Sequence, residues 1–467
     1  MFVGRKSELN EMNRLYQQNQ FQFYVLYGRR RIGKTTLIKE FMKDKRGLFF
    51  VAQEANDYMN LVNISKRIYE FFHLPSTLAP FDNWNGVFDF IAEKAKKEKF
   101  IVAFDEFPYA AKENPEIKSI IQNCIDQHLK DTNLFLILCG SQIGFMEHEV
   151  LGYNSPLYGR RTAQLHLDKF SYIDAHQLLN GVSNEDCIKY YSCFGGTPHY
   201  LSQIDLTLSF EDNIKRLYFS ISGYMYNETT MLLQQELREP AFYNSIITII
   251  SSGANRISEI ADKLHEDRTK VNKYIQTLIQ LNILVKTYPF GEDKASSKKG
   301  LYEIEDNSYD FWYHFVFPNL TEIESGNGIF IADEILANDL NTFIGKKFEK
   351  ICTQYLRIKN LNNSLPFSAT SFGTWWGNDP VEKSEYDIDI IADNKRSKKV
   401  IIAECKWKNH LDDINEIRKI ISKKHLFPQY DERYYYFFSK IPFTEQAKQF
   451  AKDTQNLTLL TQQDLFI

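Results

Sequence analysis

The first 165 residues alternate short apolar runs with stretches whose apolar residues recur at helical spacing. The apolar runs predict strands at FQFYVLYG, GLFFVA, FIVAFDE and LFLILCGS. Short apolar runs separated by helical patterns are typical of parallel βαβ units. We therefore expect an α/β domain with a parallel sheet over residues 1–165.

The pattern changes twice after this segment. Residues 166–237 have helical spacing, broken at FGGTPHYL, which predicts a helical lid. Residues 238–315 contain three helical patterns and then two β-type runs, VKTYPF and KGLYEIED, joined by a polar loop. Three helices followed by a hairpin predict a winged helix.

A second strand-and-helix pattern occupies residues 316–467. It contains the helical stretch NTFIGKKFEKICTQYLR and the strands DIDIIAD, VIIAECKW and YYYFFS. The length of 467 residues suits about three domains of ~100–200 residues each, and these patterns divide it into four segments.

The net charge of -4 gives no overall positive field for nucleic acid. Any surface that binds nucleic acid has to come from local basic clusters. The alternative is that each cluster is simply a solvated face or loop. The clusters lie at residues 29–31, 294–299, 394–399 and 418–425.

The six cysteines form no CxxC pair and several lie in apolar runs, which predicts buried thiols in a reducing compartment. The chain opens without a signal-peptide pattern, and its apolar runs are too short to span a bilayer. We expect a cytoplasmic protein with no membrane partner.

The segment GRRRIGKT fits the phosphate-binding pattern G-x-x-x-x-G-K-[ST] and stands between a predicted strand and a predicted helix. In such a loop backbone N–H groups and the helix amino end face the phosphates. Lys34 would reach the β- and γ-phosphates, and the Thr35 hydroxyl would ligate Mg²⁺. The expected ATP contacts are Gly28, Arg29, Arg30, Arg31, Ile32, Gly33, Lys34, Thr35 and Thr36.

Two acids end the strand FIVAFDE about 70 residues later. In a P-loop protein Asp105 would hold the Mg²⁺ shell and Glu106 would polarise the attacking water. A third strand ends at Ser141, which would either lie near the γ-phosphate or make a simple strand-to-loop turn.

Three further boxes accompany these motifs: FVGRKSEL at 2–9, SPLYGRRTAQLHL at 155–167 and FGGTPHYL at 194–201. With them the chain resembles the AAA+/STAND P-loop proteins known as archaeal-type ATPases. The resemblance implies that Gly4 and Arg5 help place the nucleotide, that Arg160 or Arg161 senses or stabilises the γ-phosphate, and that Pro198 packs near the adenine. Without it, the two arginines are surface residues and the Gly-x-Pro box is a helix break.

In that family a winged helix and often a nuclease-like domain follow the ATPase. A winged helix commonly lays its third helix in a DNA groove, so Arg268, Lys270 and Lys273 are candidate phosphate contacts. The alternative is that the winged helix packs on the ATPase as a lever.

Charges interrupt two of the buried strands near the carboxyl end of the chain. Side chains alternate along a strand, so Asp387 and Asp389 share a face, as do Glu404 and Lys406 on the next strand. A hairpin would gather Asp389, Glu404 and Lys406, whose carboxylates suit Mg²⁺. This pattern resembles the PD-(D/E)XK nuclease fold, and the resemblance adds Glu349 on the preceding helix. A structural ion pair, or a fold that binds without cutting, are the alternatives.

Together these features predict an α/β chain: a P-loop NTPase with a helical lid, then a winged helix, then an α/β restriction-endonuclease-like domain. We expect an ATP-hydrolysing switch that uses ATP and Mg²⁺ and acts on nucleic acid, DNA in preference to RNA. An ATP-dependent homo-oligomer is a further expectation. The alternatives are a DNA-binding regulator, or a signalling scaffold, whose nuclease-like domain is inactive.

Overall fold

The computed structural model describes residues 2–237 and 239–466. They form two compact units. The first contains the described residues up to Phe170 together with Thr197–His199, and the second contains Ser171–Gly196 and the described residues from Tyr200 onward. The finer division at residues 165, 237 and 315 stays a prediction.

A five-stranded sheet in the order β2-β3-β4-β1-β5 organises the first unit, and every neighbouring pair is parallel. Its strands are β1 (Gln22–Tyr27), β2 (Gly47–Val51), β3 (Ile101–Asp105), β4 (Phe135–Gly140) and β5 (Ala163–His166). Its helices are α1 (Lys6–Gln17), α2 (Lys34–Met42), α3 (Asp57–Phe71), α4 (Trp84–Ala95), α5 (Phe107–Glu113), α6 (Ile117–Cys124) and the short α7 (Ile143–Phe145).

Each face of this sheet packs on its own apolar cluster. Strands β1 and β4 are buried along their whole length, which explains their unbroken apolar sequences. The predicted α/β fold with a parallel sheet is confirmed. Strand β5 was not predicted, because its sequence AQLH alternates between half-buried and exposed positions at the sheet edge and carries no apolar run.

Helices dominate the first part of the second unit. The elements between β5 and the last sheet are α8 (Tyr172–Leu178), α9 (Asn184–Phe194), α10 (Pro198–Leu201), α11 (Phe210–Tyr218), α12 (Tyr224–Glu236), α13 (Pro240–Ser251), α14 (Ile257–Leu264), α15 (Arg268–Gln280), β6 (Leu284–Thr287), β7 (Leu301–Ile304), α16 (Asn307–Phe311), α17 (Leu320–Glu322), α18 (Gly328–Asn338) and α19 (Leu340–Leu361). The start of α10 belongs to the first unit. None of the helices in residues 2–237 and 239–466 is long and apolar enough to cross a membrane.

Helices α13, α14 and α15 precede the antiparallel pair β6–β7, which is the predicted order of elements. Pro240 stands in the first turn of α13, where its missing N–H costs nothing. The Asp267 side chain caps α15 by accepting from the Thr269 N–H at 2.7 Å. The buried positions Val271, Ile275 and Leu278 form the inner face of α15.

A mixed five-stranded sheet in the order β12-β11-β10-β9-β8 ends the chain. Strands β8 (Ser371–Asp379), β9 (Ser384–Asn394) and β10 (Lys399–Lys406) are antiparallel, whereas β11 (Glu432–Ser439) and β12 (Leu457–Thr461) continue parallel to β10. Helices α20 (Asp413–Ser422) and α21 (Glu445–Asp453) cross between the parallel strands. The predicted β9–β10 hairpin is confirmed, and β8 and β12 were not predicted.

A buried charge network holds the carboxyl end of β8. Asp379 and Lys423 are both fully buried, with Lys423 Nζ 2.9 Å from Asp379 Oδ2. Lys423 also lies 2.5 Å from Glu382, and His425 Nε2 lies 2.8 Å from the other oxygen of Asp379. Because a buried charge is costly without its partner, these contacts fix edge strand β8 to the segment after α20.

Candidate active sites

The loop between β1 and α2 has the backbone that the phosphate-binding pattern requires. Gly28 has φ +150° and Gly33 has φ +93°, both in the region that favours glycine. A Cβ at Gly28 would lie 2.3 Å from the Leu167 carbonyl oxygen. Residue 28 must therefore be glycine if this loop is to pass under the segment after β5.

Lys34 opens α2 and is only 6% exposed. Its ammonium donates to the carbonyl oxygens of Gly28 and Arg29, each at 2.8 Å. Burial lowers the pKa of Lys34, although the negative charges of Glu106 and Asp105 oppose the shift. The loop carbonyls thus hold a desolvated cation at the place where phosphates would bind.

The magnesium prediction rests on two side chains from different elements, Thr35 on α2 and Asp105 at the end of β3, and the structure brings them together. The Thr35 hydroxyl donates to Asp105 Oδ2 at 2.6 Å, and the other oxygen of Asp105 accepts from the Glu106 N–H at 3.0 Å. Asp105 is 2% exposed. A hydroxyl and a carboxylate in contact are oxygen donors of the kind that Mg²⁺ prefers, so the residues present fit the ion.

Glu106 follows β3 in a left-handed conformation, with φ 50°. Ser141, at the end of the neighbouring β4, donates its hydroxyl to Glu106 Oε2 at 2.8 Å. The sequence left the role of Ser141 open. In the structure its hydroxyl orients the carboxylate that was predicted to polarise water.

The amino-terminal box also reaches the loop. Gly4 and Arg5 both have positive φ, and the Arg5 guanidinium donates to the carbonyl oxygens of Ile32, at 3.3 Å, and Asp168. It also lies over the Phe170 ring, 4.7 Å from its centre. Arg5 therefore ties the start of the chain to the loop. The roles of Gly4 and Arg5 in placing the nucleotide stay predictions.

Pro198 belongs to the short segment Thr197–His199, which clusters with the first unit. Burial lowers the pKa of the neighbouring His199, and the positive charge of Arg31 lowers it further. Pro198 thus lies on a segment close to the phosphate-binding loop. Its contact with adenine stays a prediction.

Arg160 and Arg161 lie elsewhere. The Arg160 guanidinium binds Asp126 at 2.6 and 3.0 Å. The next residue but one, Thr162, donates its N–H to the Phe23 carbonyl, so both arginines precede β5 at the amino edge of the sheet. The loop follows the carboxyl end of β1, about four strand residues or ~13 Å away. Burial raises the pKa of Tyr27, the last residue of β1, and the positive charge of Arg161 opposes this shift, so the Arg161 guanidinium acts on that end of the strand. The γ-phosphate role of Arg160 or Arg161 stays a prediction.

One loop contact was missed altogether. The Arg30 guanidinium donates to the Tyr109 hydroxyl at 2.6 Å, which connects the loop to α5. The FPY sequence after the acidic pair gave no signal for this contact, because a tyrosine in a first helical turn is ordinary. Only the sheet order, which places β3 two strands from β1, makes the contact available.

A second constellation occupies the last sheet. Asp389 accepts from the Cys405 N–H at 2.7 Å, and the Lys406 ammonium binds Glu404 Oε1. Asp389 and Glu404 are each 8% exposed, and Glu404 Oε2 is buried with no hydrogen-bond partner among the described residues. The predicted hairpin therefore brings Asp389, Glu404 and Lys406 together.

Glu349, on α19, belongs to the same cluster. Burial raises the pKa of Glu349 to about 7, and the charges of Asp387 and Glu404 add to the shift. Burial and the charges of Glu404 and Glu349 also raise the pKa of Asp389. Burial raises the pKa of Glu404 despite the opposing charge of Lys406. The carboxylates are thus close enough to repel each other.

The oxygen donors and the unpartnered Glu404 Oε2 fit a divalent cation in chemistry, but their arrangement is not that of a closed site. Within residues 2–237 and 239–466, no three His, Cys, Asp or Glu side chains are grouped as metal ligands. The ion pair with Lys406 takes up one oxygen of Glu404. The metal roles of Glu349, Asp389 and Glu404 stay predictions.

Comparison with known proteins agrees with the first site. Residues 2–204 match an ATPase domain found predominantly in Archaea, and residues 312–420 match a family of archaeal and bacterial proteins of unknown function. The uncharacterized protein MJECL04 of Methanocaldococcus jannaschii is 32% identical over 443 residues, covering 94% of this chain and 96% of its own length. The chain belongs to this archaeal-type ATPase family.

Other relatives match the ATPase less completely. The uncharacterized ATP-binding protein MJ0423 of the same organism is 50% identical over 46 residues, covering 10% of this ATPase and 78% of its own length. Among solved structures, the Walker-type ATPase PABY2304 of Pyrococcus abyssi is 20% identical, with a TM-score of 0.49, and covers 67% of this chain and 96% of its own.

Lys34→Ala should lower ATP affinity at least tenfold in this ATPase, because a charge-assisted contact to phosphate contributes ~1.5–3 kcal/mol. Calorimetric titration with ATP measures the change. Lys39→Ala, at an exposed position on the same helix, is the matched control and should bind as wild type. Unchanged affinity in Lys34→Ala would contradict the assignment of the loop.

Glu106→Gln should retain ATP and lose turnover, since the amide keeps the shape but cannot polarise water. Ser141→Ala should lower turnover less, by loosening the carboxylate that the hydroxyl holds at 2.8 Å. Phosphate release under saturating ATP measures both. Hydrolysis by Glu106→Gln at the wild-type rate would place the water-polarising group elsewhere.

Proposed function

We propose that this ATPase is a nucleotide-driven switch that couples ATP hydrolysis to binding and metal-dependent cleavage of nucleic acid in its second unit. The observation that carries the proposal is the convergence of Glu349, Asp389 and Glu404 beside Lys406, with carboxylate pKa values raised by burial and mutual repulsion. Such perturbed groups are costly to the fold and concentrate at functional sites.

In the first unit, observed hydrogen bonds support the residues proposed for ATP hydrolysis. Lys34 would exchange its two carbonyl acceptors for phosphate oxygens, and Thr35 with Asp105 would hold Mg²⁺. Glu106, held by Ser141, would accept a hydrogen bond from the attacking water and orient it. Bound Mg²⁺ would neutralise charge on the β- and γ-phosphates.

In the second unit Asp389 and Glu404, with Glu349 at the rim, would hold the divalent ion. The ion would supply a water of lowered pKa and polarise the scissile phosphate. Lys406 would then leave Glu404 and donate to that phosphate or to the attacking water. Burial alone would lower the pKa of Lys406, but the negative charges of Glu404 and Asp389 outweigh it and raise this pKa, which keeps the lysine protonated and able to donate.

A short chain of hydrogen bonds supports coupling within the second unit. Phe290, in the loop after β6, donates its N–H to the Thr374 carbonyl at 2.8 Å. The Thr374 hydroxyl donates to the Asp389 carbonyl at 3.1 Å. If helices α13–α15 and the β6–β7 hairpin act as a DNA-binding winged helix, movement of the hairpin loop would reach the strand that carries Asp389.

The position of Arg160, before β5 at the amino edge of the first sheet, favours a role towards another copy of the chain. Its backbone lies at the opposite edge of the sheet from its own phosphate-binding loop, and its side chain is 25% exposed. We therefore retain the ATP-dependent homo-oligomer as part of the proposal.

One observation favours a second candidate, a nucleic-acid-binding regulator without cleavage. The Glu404–Lys406 ion pair is mostly buried, with side chains 10% and 20% exposed. In this second candidate the pair stabilises the fold and takes no part in catalysis. A buried pair of this kind loses stability when one partner is removed. The two candidates therefore predict opposite stability changes.

Cleavage is the direct test. Purified protein with Mg²⁺ or Mn²⁺, with and without ATP, should nick DNA in preference to RNA, and Asp389→Asn should abolish the activity. Asp393→Asn, a buried aspartate on the same strand, serves as the matched control and should retain cleavage if it folds. A wild-type protein inactive on all substrates, or an active Asp389→Asn, would refute the cleavage proposal.

Glu404→Gln should be as stable as metal-free wild type or slightly more stable. The raised pKa of Glu404 means that its ionisation at neutral pH opposes folding, and the amide removes that charge. The ion-pair alternative predicts a loss of ~3–5 kcal/mol. Thermal unfolding of both proteins with and without Mg²⁺ distinguishes the metal site from the ion pair. A metal site also predicts that only wild type gains stability from the ion.

A further inference from the structure

A cavity of about 860 Å³ runs beside the edge strand β8. It lies within the second unit, between the loop after β6, the β9–β10 turn and the segment after α20. Its side chains include five aromatic rings and three lysines. They are Phe290, Trp375, Trp376, Phe427, Tyr430, Lys299, Lys395 and Lys398.

The aromatic wall is held firmly except at one residue. Trp375 packs edge-to-face on Phe427, with ring centres 6.0 Å apart, and Phe290 is fixed by its backbone bond to Thr374. Trp376 is partly exposed and its ring makes no aromatic or cation–π contact among the described residues. It is a large flat side chain that the core does not use.

The lysines give the groove a positive rim. Lys299 is paired with Glu292 at 2.6 Å, and Lys398 lies 3.5 Å from Asp431. Lys395 is exposed and forms no ion pair with any residue that the structure describes. Glu292 is the one acidic residue in the cavity wall, so lysines outnumber acids there.

We propose that this groove binds a single-stranded segment of nucleic acid. One base would stack on Trp376, other bases would stack on the rings on the opposite side of β8, and phosphates would lie on Lys395 and Lys398 at the far end of the groove. A groove that carries both flat rings and lysines suits unpaired bases, because every base presents a face for stacking and the backbone needs only positive charge. A duplex hides those faces within its own stack, so the rings would gain little from it.

The groove also adjoins the carboxylate cluster. Trp376 is the cross-strand partner of Asp387, whose charge adds to the effect of burial in raising the pKa of Glu349. A strand stacked on Trp376 would therefore pass close to the proposed cleavage site. In this respect the inference deepens the proposed function by naming single strands as the substrate class, but binding itself does not depend on cleavage.

The test measures binding without metal, so that cleavage cannot contribute. A fluorescein-labelled oligothymidylate is titrated with the full chain in EDTA, and anisotropy gives the affinity at several salt concentrations. Trp376→Ala should weaken binding about tenfold, and Trp376→Phe should restore most of it. Lys395→Glu should weaken binding and lower the slope of log affinity against log salt by about 0.7.

Two variants outside the groove are matched controls. Phe330→Ala removes a 62% exposed aromatic ring from α18, and Lys452→Glu reverses an exposed charge on α21. Both should bind as wild type, and unfolding curves should be unchanged for every variant compared. Wild-type affinity in Trp376→Ala and Lys395→Glu would overturn the proposal, and so would tighter binding of a duplex that the same two changes abolish.

If groove variants lose binding while wild type never cleaves, the groove is upheld and the cleavage proposal fails. If wild type cleaves and the groove variants bind normally, the cleavage proposal is upheld and the groove proposal fails. The two proposals are thus separated by their own measurements.

Discussion

The ammonium of Lys34 is buried and has to be satisfied, and the arrangement of the first site follows from that constraint. Two loop carbonyls accept its hydrogen bonds, which requires the turn that Gly28 and Gly33 permit. The nearby acids must also be positioned so as to balance its charge. In a parallel sheet the carboxyl ends of β1 and β3 lie at one edge, so Asp105 reaches Thr35 without any long excursion of the chain.

The cluster in the second unit has the opposite balance of charge. Several carboxylates face one lysine, and burial raises the pKa of Glu349, Asp389 and Glu404. Apolar residues at these positions would give a more stable sheet, since desolvated carboxylates in contact repel. The presence of Asp389 and Glu404 in the buried parts of β9 and β10, and of Glu349 on α19 beside them, is therefore a cost to folding that a cation would relieve.

Much of the fold and of the two candidate sites was predictable from the sequence where the signal was local. The loop GRRRIGKT, the strand ending in Asp105 and Glu106, and the β9–β10 hairpin were all correctly placed, because each depends on a short pattern in a strand or turn. Edge strands β5 and β8 were not, because partial exposure removes the apolar pattern. Contacts such as Ser141 with Glu106, or Asp379 with Lys423 and His425, depend on sheet order and on segments up to 46 residues apart.

Edge strand β8 shows why such non-local contacts matter for function. Its end is fixed by the buried Asp379–Lys423 pair, whereas its middle is bonded to the loop of the β6–β7 hairpin through Thr374. Thr374 in turn donates to the backbone of Asp389, and Trp376 stands opposite Asp387. A ligand that moved this hairpin loop, or that filled the groove beside Trp376, would act on a strand anchored at one end. Because one end of β8 is held in place, a displacement of its middle would be passed to β9, the strand that carries Asp387 and Asp389.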